Sequence, residues 1–245
     1  MIESVNNKKI KEYAKLQQKK ERDRTNLFLV EGEHMILEAF KANALKELFI
    51  LDGIQNPINY PCEFVSQAVL NKLSQQNSNS KMIGVCNKLH LEQKKQNAVL
   101  LLDHVQDPGN MGTIIRTAHS FGIDCIYTSK GCADIYNPKT IQASQGALFY
   151  IPCLQTELNE EIKNLQNKGF EIYATALHKN HENLQSIDPC SKYGILLGNE
   201  GQGVEHDLIE ASDHIVKIEM KTFESLNVAV AAAICMYTFQ YAKKK

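Results

Sequence analysis

The sequence predicts an α/β protein with two unequal parts. From Ala98 onward, short apolar runs alternate with helical patterns, which is typical of a parallel sheet covered by helices on both faces. Before residue 90, shorter apolar runs and helical patterns indicate a smaller α/β unit. The charged stretch LHLEQKKQN (89–97) lies between two apolar strands and suits a linker. We therefore expect one domain over residues 1–90, a linker over 91–97 and a second domain over 98–245.

The first part begins with an amphipathic pattern that predicts a helix over residues 6–18, with Ile10 and Tyr13 among lysines. A second helix follows Gly32 and places Met35 on its apolar face. The remaining patterns predict a helix near 67–73 and strands over 28–30, 48–51, 63–65 and 82–86.

The second part is a strand-helix alternation. Its apolar runs predict strands over 98–103, 125–128, 171–176, 193–198 and 214–218. The helical patterns between and after them lie near 112–121, 138–144, 157–168, 204–211 and 226–242.

The composition argues against several classes of protein. No run approaches the roughly 18 apolar residues needed to cross a bilayer, and the N-terminus MIESVNNKKIKEYAK lacks the apolar segment of a secretory signal. We therefore expect a cytoplasmic protein with no membrane partner. The cysteines show no Cys-x-x-Cys spacing, which indicates reduced, mostly buried thiols. His178 and His181 lack partners of metal-site spacing, so we expect no metal.

The charges are unevenly distributed. The net charge of −1 does not by itself indicate a nucleic-acid binder. Residues 1–24, however, carry eight Lys and Arg residues against four acidic ones, and Lys243 to Lys245 form a basic tail. Two interpretations stay open: solvated helix faces with a frayed terminus, or a patch that binds nucleic-acid phosphates.

Three polar segments follow strand ends, which is where open α/β sheets hold their ligands. The first is DPGNMGTIIRTA (107–118). It combines a Pro-Gly turn with Asn110, the expected N-cap of the next helix. Arg116 lies off the buried stripe of that helix, one to two turns from the strand end, and is therefore a candidate functional side chain.

The other two segments lie near the C-terminus. LLGNEGQGV (196–204) carries three glycines that let backbone groups approach a ligand closely, although its spacing is not that of a nucleotide phosphate loop. An alternative for this segment is a helix-entry turn with Glu200 near the helix dipole. The third segment, Ser225-Leu226-Asn227, precedes a helix of small apolar residues. Capping alone explains its Ser and Asn, and the small residues also suit a dimer interface.

Together these segments resemble the motifs of the SpoU/TrmH family of SPOUT RNA 2′-O-ribose methyltransferases. The similar stretches are 107–122, 196–203 and 225–234, with a further one at 135–152. Residues 1–86 resemble the ribosomal-protein-like domain that binds the RNA substrate in this family. The order and spacing of the motifs agree over nearly the whole chain.

The resemblance implies a SPOUT fold, in which the C-terminal part of a parallel sheet is threaded as a trefoil knot, a topology otherwise almost absent from proteins. It implies a homodimer with the site close to the subunit interface. It also implies S-adenosylmethionine as cofactor, bound at Gly198, Ile218 and Leu226 through their backbone. The full cofactor set carried over by position is Leu197, Gly198, Ile218, Met220, Leu226 and Asn227.

The catalytic set carried over in the same way is Asn110, Arg116, Glu200, Ser225 and Asn227. The implied reaction displaces the sulfonium methyl group by a ribose 2′-hydroxyl. Family proposals make the arginine the general base. Because a guanidinium is an awkward base, we favour Arg116 as a positioning and charge-stabilising group and keep base action as the rival.

The implied substrate is RNA, and 23S ribosomal RNA is expected ahead of transfer RNA because of the N-terminal domain. The chain departs from the family at the approach to the third motif, which reads IEMKT (218–222) where the family has Ile-Pro-Met-x-Gly. This departure and the net charge of −1 motivate an alternative, a non-catalytic RNA-binding or ribosome-assembly protein. Base methylation is a further rival.

Overall fold

The structure is a computed structural model, and it describes residues 1–74, 80–91, 95–176, 181–199, 201–222 and 225–241. Among these residues the strands form two sheets, one of four strands and one of seven. The observed architecture is therefore the predicted α/β class. No helix in the described ranges combines the length and the apolar character needed to cross a membrane.

The N-terminal sheet is mixed and has the strand order β1-β4-β2-β3. Two helices precede β1, one helix connects β1 to β2, and another connects β3 to β4. In chain order the elements are α1 (Lys8–Ala14), α2 (Lys19–Thr25), β1 (Leu27–Glu31), α3 (Glu33–Lys41), β2 (Leu45–Leu51), β3 (Glu63–Val65), α4 (Gln67–Leu73) and β4 (Met82–Asn87).

The C-terminal sheet is parallel throughout and has the order β7-β6-β5-β10-β8-β11-β9. Its inner strands are buried on both faces, as the continuous apolar runs predict. In chain order the elements are β5 (Ala98–Leu102), α5 (Pro108–Ser120), β6 (Cys125–Thr128), α6 (Pro138–Ser144), β7 (Cys153–Gln155), α7 (Leu158–Asn167), β8 (Glu171–Thr175), β9 (Glu182–Asn183), β10 (Tyr193–Leu197), α8 (His206–Ala211), β11 (His214–Lys217) and α9 (Val228–Tyr241).

The two sheets share one apolar core across the boundary between them. The ring of Phe28 on β1 lies 4.7 Å from the ring of Tyr136 and 6.0 Å from that of Phe149, centroid to centroid. Arg22 on α2 is 4% exposed and donates a hydrogen bond of 2.6 Å to Asp134. Removing one partner of such a buried pair is costly, so this ion pair fixes the N-terminal unit against the C-terminal one.

The predicted first helix over 6–18 is slightly shorter in the structure. The α-helix ends at Ala14, a 3-10 turn follows over Lys15–Gln17, and the chain becomes extended at Gln18 before α2 begins. The guanidinium of Arg22 donates to the carbonyl oxygens of Leu16 and Gln17 at 2.9 and 3.0 Å. These hydrogen bonds satisfy carbonyl groups that a helix end leaves free, so a break costs little here.

Other boundaries differ by smaller amounts. The helix α5 begins at Pro108, and its N-cap is Asp107, whose carboxylate accepts from the Asn110 N–H at 2.8 Å. The expectation that Asn110 is the N-cap is therefore wrong, because Asp107 takes that position and proline is favoured at the first helical residue. The strands β7 and β9 have no counterpart among the predicted elements. Both are short edge elements without a continuous apolar run.

Candidate active site

A cavity of about 360 Å³ lies at the carboxyl ends of β8, β10 and β11. This is the edge where parallel sheets hold ligands, and the volume suits a small organic cofactor. Its wall includes five residues assigned to the cofactor by the resemblance, together with Ser225. They are Leu197, Gly198, Ile218, Met220 and Leu226. Residues more than 20 positions apart in the sequence thus line one cavity.

The loop after β10 forms one wall of this cavity and is tightly folded. The backbone N–H and C=O groups of Asn199 and Gly203 exchange two hydrogen bonds, and the Asn199 side chain accepts from the Gly201 N–H at 2.8 Å. A Cβ atom on Gly198 would lie 2.2 Å from both the Gly203 carbonyl carbon and the Val204 nitrogen. Only glycine fits at position 198 without moving this loop. Glu200 lies outside the described residues.

The opposite wall offers backbone groups, and Lys217 is the charged residue among those described on the cavity wall. Within the described ranges, no backbone–backbone hydrogen bond engages Ile218, Met220 or Leu226. Among the described residues these N–H and C=O groups therefore lack a backbone partner, and backbone polar groups favour being paired. Polar backbone groups beside the apolar residues Leu197 and Leu226 match the usual lining of a small-molecule site.

The third segment joins the first at the start of α9. The Asn227 side-chain oxygen accepts from the Ala229 N–H at 2.9 Å, so Asn227 is an N-cap as the sequence indicates. Its side-chain nitrogen donates to the Asn110 side-chain oxygen at 2.9 Å. These two residues are 117 positions apart, and their contact places the N-terminus of α5 beside the cavity. Asn227 itself is not on the cavity wall.

Arg116 lies on the exposed face of α5 and does not line the cavity. It is six residues beyond Asn110, about 9 Å along the helix axis. No ion pair engages its guanidinium within the described part of the chain. Its neighbours Thr113 and Ser120 donate their hydroxyl groups to carbonyl oxygens of α5. Among the described residues the guanidinium is therefore not committed to a carboxylate, and it lies outside the cavity.

One positioning residue was missed by the sequence analysis. Asp103, at the end of β5, is 1% exposed, and its carboxylate accepts from the Glu205 N–H at 3.0 Å and lies 2.6 Å from His104 Nδ1. The Asn199 side chain donates to the His104 carbonyl oxygen at 3.0 Å. These contacts join the loop after β5, which leads to α5, to the loop after β10. The sequence did contain a signal for Asp103, since an acidic residue directly after a continuous apolar strand is unusual enough to indicate a specific contact.

Sequence comparison identifies the family. The sequence pattern of the SpoU rRNA methylase family matches residues 97–237, which contain the whole cavity. The chain belongs to the SpoU rRNA methylase family. The pattern of an MRM3-like substrate-binding domain matches residues 7–84, the N-terminal α/β unit. The resemblance inferred from the three motifs is confirmed, and the reaction class of the SpoU methylases is methyl transfer to RNA.

Individual SpoU methylases are similar over nearly their full length. The 23S rRNA (guanosine(2553)-2′-O)-methyltransferase RlmP of Bacillus subtilis is 38% identical, and the match covers 96% of this chain and 97% of that one. A solved RNA 2′-O ribose methyltransferase is 27% identical, with a TM-score of 0.83 and 97% of each chain covered. The methyltransferase AviRb of Streptomyces viridochromogenes, solved with AdoMet, is 22% identical with a TM-score of 0.85, a likeness of fold.

The close packing at Gly198 gives a first prediction. We expect Gly198→Ala to lower the free energy of unfolding by about 1–3 kcal/mol, since its Cβ overlaps backbone atoms that have no flexible end to move. The matched control is Gly201→Ala on the same loop, where the nearest atom is 3.4 Å away. It should change the free energy of unfolding by less than about 0.5 kcal/mol. Urea denaturation of both variants measures the difference, and equal midpoints would contradict the close packing.

Proposed function

We propose that this chain transfers a methyl group from S-adenosylmethionine to a ribose 2′-hydroxyl of 23S ribosomal RNA. The observation that carries the proposal is the cavity between the loop after β10 and the segment before α9, with the start of α5 hydrogen-bonded to its rim. The departure at IEMKT does not close this cavity, since Ile218 and Met220 both line it. This favours an active enzyme over a non-catalytic RNA-binding protein.

The residues present fit S-adenosylmethionine. The cavity of about 360 Å³ has an apolar wall, open backbone groups at Ile218 and Leu226, and a glycine at position 198 that keeps the loop close. These features suit an adenine ring and a ribose held by backbone contacts. When bound, S-adenosylmethionine supplies a methyl group that its sulfonium sulfur already activates.

The polar residues around the rim then have separate tasks. Asn227 and Asn110, joined at 2.9 Å, hold the starts of α9 and α5 in register, and Ser225 lies on the wall beside them. Methylation forms a bond from the ribose oxygen to the methyl carbon, breaks the bond from that carbon to sulfur, and releases the hydroxyl proton to solvent or a phosphate. Holding the hydroxyl in line with the methyl group provides a large share of the rate.

Arg116 stabilises the negative charge that develops on the ribose oxygen. An arginine side chain normally remains protonated in proteins, so donating hydrogen bonds suits it better than accepting a proton. Its exposed position on α5 and its lack of an ion pair within the described ranges leave its donors available to the RNA. We therefore propose a charge-stabilising and positioning role for Arg116 and keep general-base action as the rival.

Ribosomal RNA is the substrate that the comparisons favour. The Bacillus subtilis relative, which acts on 23S rRNA, matches both halves of this chain, and the N-terminal unit matches a substrate-binding domain. A ribosomal substrate places the enzyme in the cytoplasm, where ribosomes are assembled.

A homodimer is the assembly that α9 favours. This helix is apolar on all sides, which is typical of a helix buried all round. One face packs on the core through Ala232, Cys235 and Phe239. The opposite face is exposed and carries the stripe Val230, Ile234, Tyr237 and Tyr241. Leu226, just before the helix, is also exposed and lines the cavity, so a second copy seated on this face would lie beside the active site.

The trefoil knot is proposed on the resemblance and on the course of the chain. The strand β10 lies between β5 and β8, while the chain leaves β11 and returns over the sheet so that α9 packs against α5 and β10. The segment before α9 passes next to the loop after β10 on the way, since both line one cavity. This crossing is where a threaded chain would pass.

The reaction is tested by nucleoside mass spectrometry of ribosomal and transfer RNA from cells with and without this gene. We expect loss of one 2′-O-methylated nucleoside from the 23S rRNA fraction only. Loss of the nucleoside from transfer RNA would show that transfer RNA is the substrate. Loss of a base-methylated nucleoside would show that the reaction is base methylation. No change in either fraction would favour the non-catalytic alternative.

Arg116→Ala tests the catalytic assignment. We expect methyl transfer to fall by at least about 100-fold, the usual effect of removing one donor that stabilises developing charge. Affinity for S-adenosylmethionine, measured by calorimetry, should stay within about twofold because Arg116 is not on the cavity wall. The control is Arg24→Ala, an exposed arginine on α2 that pairs with Glu21. Loss of cofactor binding in Arg116→Ala would contradict the assignment.

The double variant Val230→Glu/Ile234→Glu tests the dimer. Both residues are exposed on the α9 stripe, and two carboxylates there cannot be buried against a second copy without partners. We expect the wild type to sediment as a dimer and the variant as a monomer with unchanged circular dichroism. Phe64→Glu, at an equally apolar exposed position on β3, should remain dimeric. A monomeric wild type at micromolar concentration would exclude this interface.

A further inference from the structure

A stacked aromatic pair lies beside Arg116 on the face that connects the two domains. The rings of His119 on α5 and Tyr150 after α6 lie 5.5 Å apart, centroid to centroid, with an angle of 18° between their planes. Tyr150 is 40% exposed and His119 is exposed as well. His119 is three residues beyond Arg116, about 4.5 Å along the helix axis and on a neighbouring part of its surface.

The pair is held in place from both domains. The Tyr150 hydroxyl donates to the Glu38 carboxylate on α3 at 2.7 Å, and His34 Nε2 lies 3.2 Å from the Gln145 carbonyl oxygen. The backbone at Gly146 approaches α3 so closely that a Cβ there would lie 2.7 Å from the Glu38 side chain. Burial and the hydrogen bond to Glu38 raise the pKa of Tyr150 to about 12, so its hydroxyl remains a donor at neutral pH.

The charges nearby do not oppose an RNA strand at this position. The Glu38 carboxylate is neutralised by Lys41 at 2.8 Å. Arg116 adds a cation one turn away along α5. Stacking on an aromatic side chain is also independent of base identity, since every base has a π face.

The basic N-terminal segment offers less than its composition indicates. Most of its cations are taken by carboxylates of the same chain. The pairs are Lys9 with Glu47 and Glu63, Lys15 with Glu12, Lys19 with Asp23, Arg22 with Asp134, and Arg24 with Glu21. Fewer cations of residues 1–24 are therefore available to bind phosphate than their number indicates. RNA affinity must come partly from other contacts.

We propose that His119 and Tyr150 form a stacking platform for an unpaired base of the RNA substrate, next to the nucleotide whose ribose reaches the methyl group. Single-stranded RNA is recognised in this way, by bases splayed out onto aromatic side chains. The platform lies between Arg116 and the N-terminal domain, so it would direct the strand from that domain towards the cavity. This proposal rests on the proposed function, because it assigns a substrate contact to the same site.

The test compares ring removal with ring retention on 23S rRNA transcribed in vitro, which carries no methyl groups. Tyr150→Leu and His119→Ala should raise the KM for the transcript and its Kd in filter binding by about 5- to 150-fold, the range measured for loss of one stacked base. Tyr150→Phe keeps the ring and loses the hydroxyl, so it should stay within about threefold of wild type. The KM for S-adenosylmethionine and the thermal midpoint should not change in any variant.

Phe64→Leu is the matched control, since Phe64 is 39% exposed on β3 and has no stacked partner among the described rings. Wild-type Kd for Tyr150→Leu, or an equal loss in Phe64→Leu, would overturn the platform. A second probe separates stacking from charge. The wild type should bind a 12-nucleotide oligoadenylate more tightly than an abasic ribose-phosphate 12-mer, and Tyr150→Leu should reduce that difference.

The failure of the platform and that of the proposed function give different results. A wild type that binds the transcript but transfers no methyl group would overturn the proposed function, while the Kd ratios would still decide for or against the platform. If the wild type methylates the transcript, and Tyr150→Leu and His119→Ala have the same KM as the wild type, the platform is overturned and the proposed function stands.

Discussion

The buried carboxylate of Asp103 is the constraint on which the arrangement of the site depends. It lies at the end of β5 and accepts a hydrogen bond from the backbone of Glu205, which follows the loop after β10. The side chain of Asn199 returns a hydrogen bond to the backbone of His104. His104 itself has a φ of 52°, a conformation that a non-glycine residue adopts at a cost, and these contacts hold it there. These contacts therefore tie the loop after β5, which leads to α5, to the loop after β10, which lines the cavity.

A second constraint is that α9 contributes both to the core and to the surroundings of the cavity. Its N-terminal cap, Asn227, is also the residue that contacts Asn110. Its inner face belongs to the core, and its outer face begins at the cavity wall and remains exposed in one chain. Any partner that covers this outer face therefore adjoins the cofactor site. Close packing transmits displacement, since protein interiors have little empty space to absorb it. The exposed face of α9 and the cavity are in this sense one structural unit.

The sequence predicted the parts of the site that have a local signature. Gly198 and Asn227 follow or precede apolar segments, and polar residues after parallel strands must converge on one edge of the sheet. Contacts between residues that are distant in the sequence had no such signature, because hydrophobic periodicity indicates only which residues share a face within one or two turns of a helix. The break at Gln18 is accompanied by hydrogen bonds from Arg22 to the carbonyl oxygens before it, and Arg22 in turn binds Asp134, more than 100 residues away. The short strands β7 and β9 exist because neighbouring strands offer an edge, and not because of their own sequence.

The charge pattern is the clearest case in which composition gave an incomplete answer. Residues 1–24 have a positive net charge, yet most of their cationic side chains form ion pairs within the chain. These pairs lie inside the N-terminal domain, except for the one between Arg22 and Asp134 of the C-terminal domain. Apart from the buried Arg22–Asp134 pair, these ion pairs are partly or fully exposed and contribute little stability each. They nevertheless engage cations that could otherwise meet phosphate. Counting charges thus overstates the electrostatic share of RNA affinity in this protein. Near the domain junction lie Arg116, which has no ion pair among the described residues, and the stacked rings of His119 and Tyr150. This combination is better suited to selecting an unpaired strand than to attracting any polyanion.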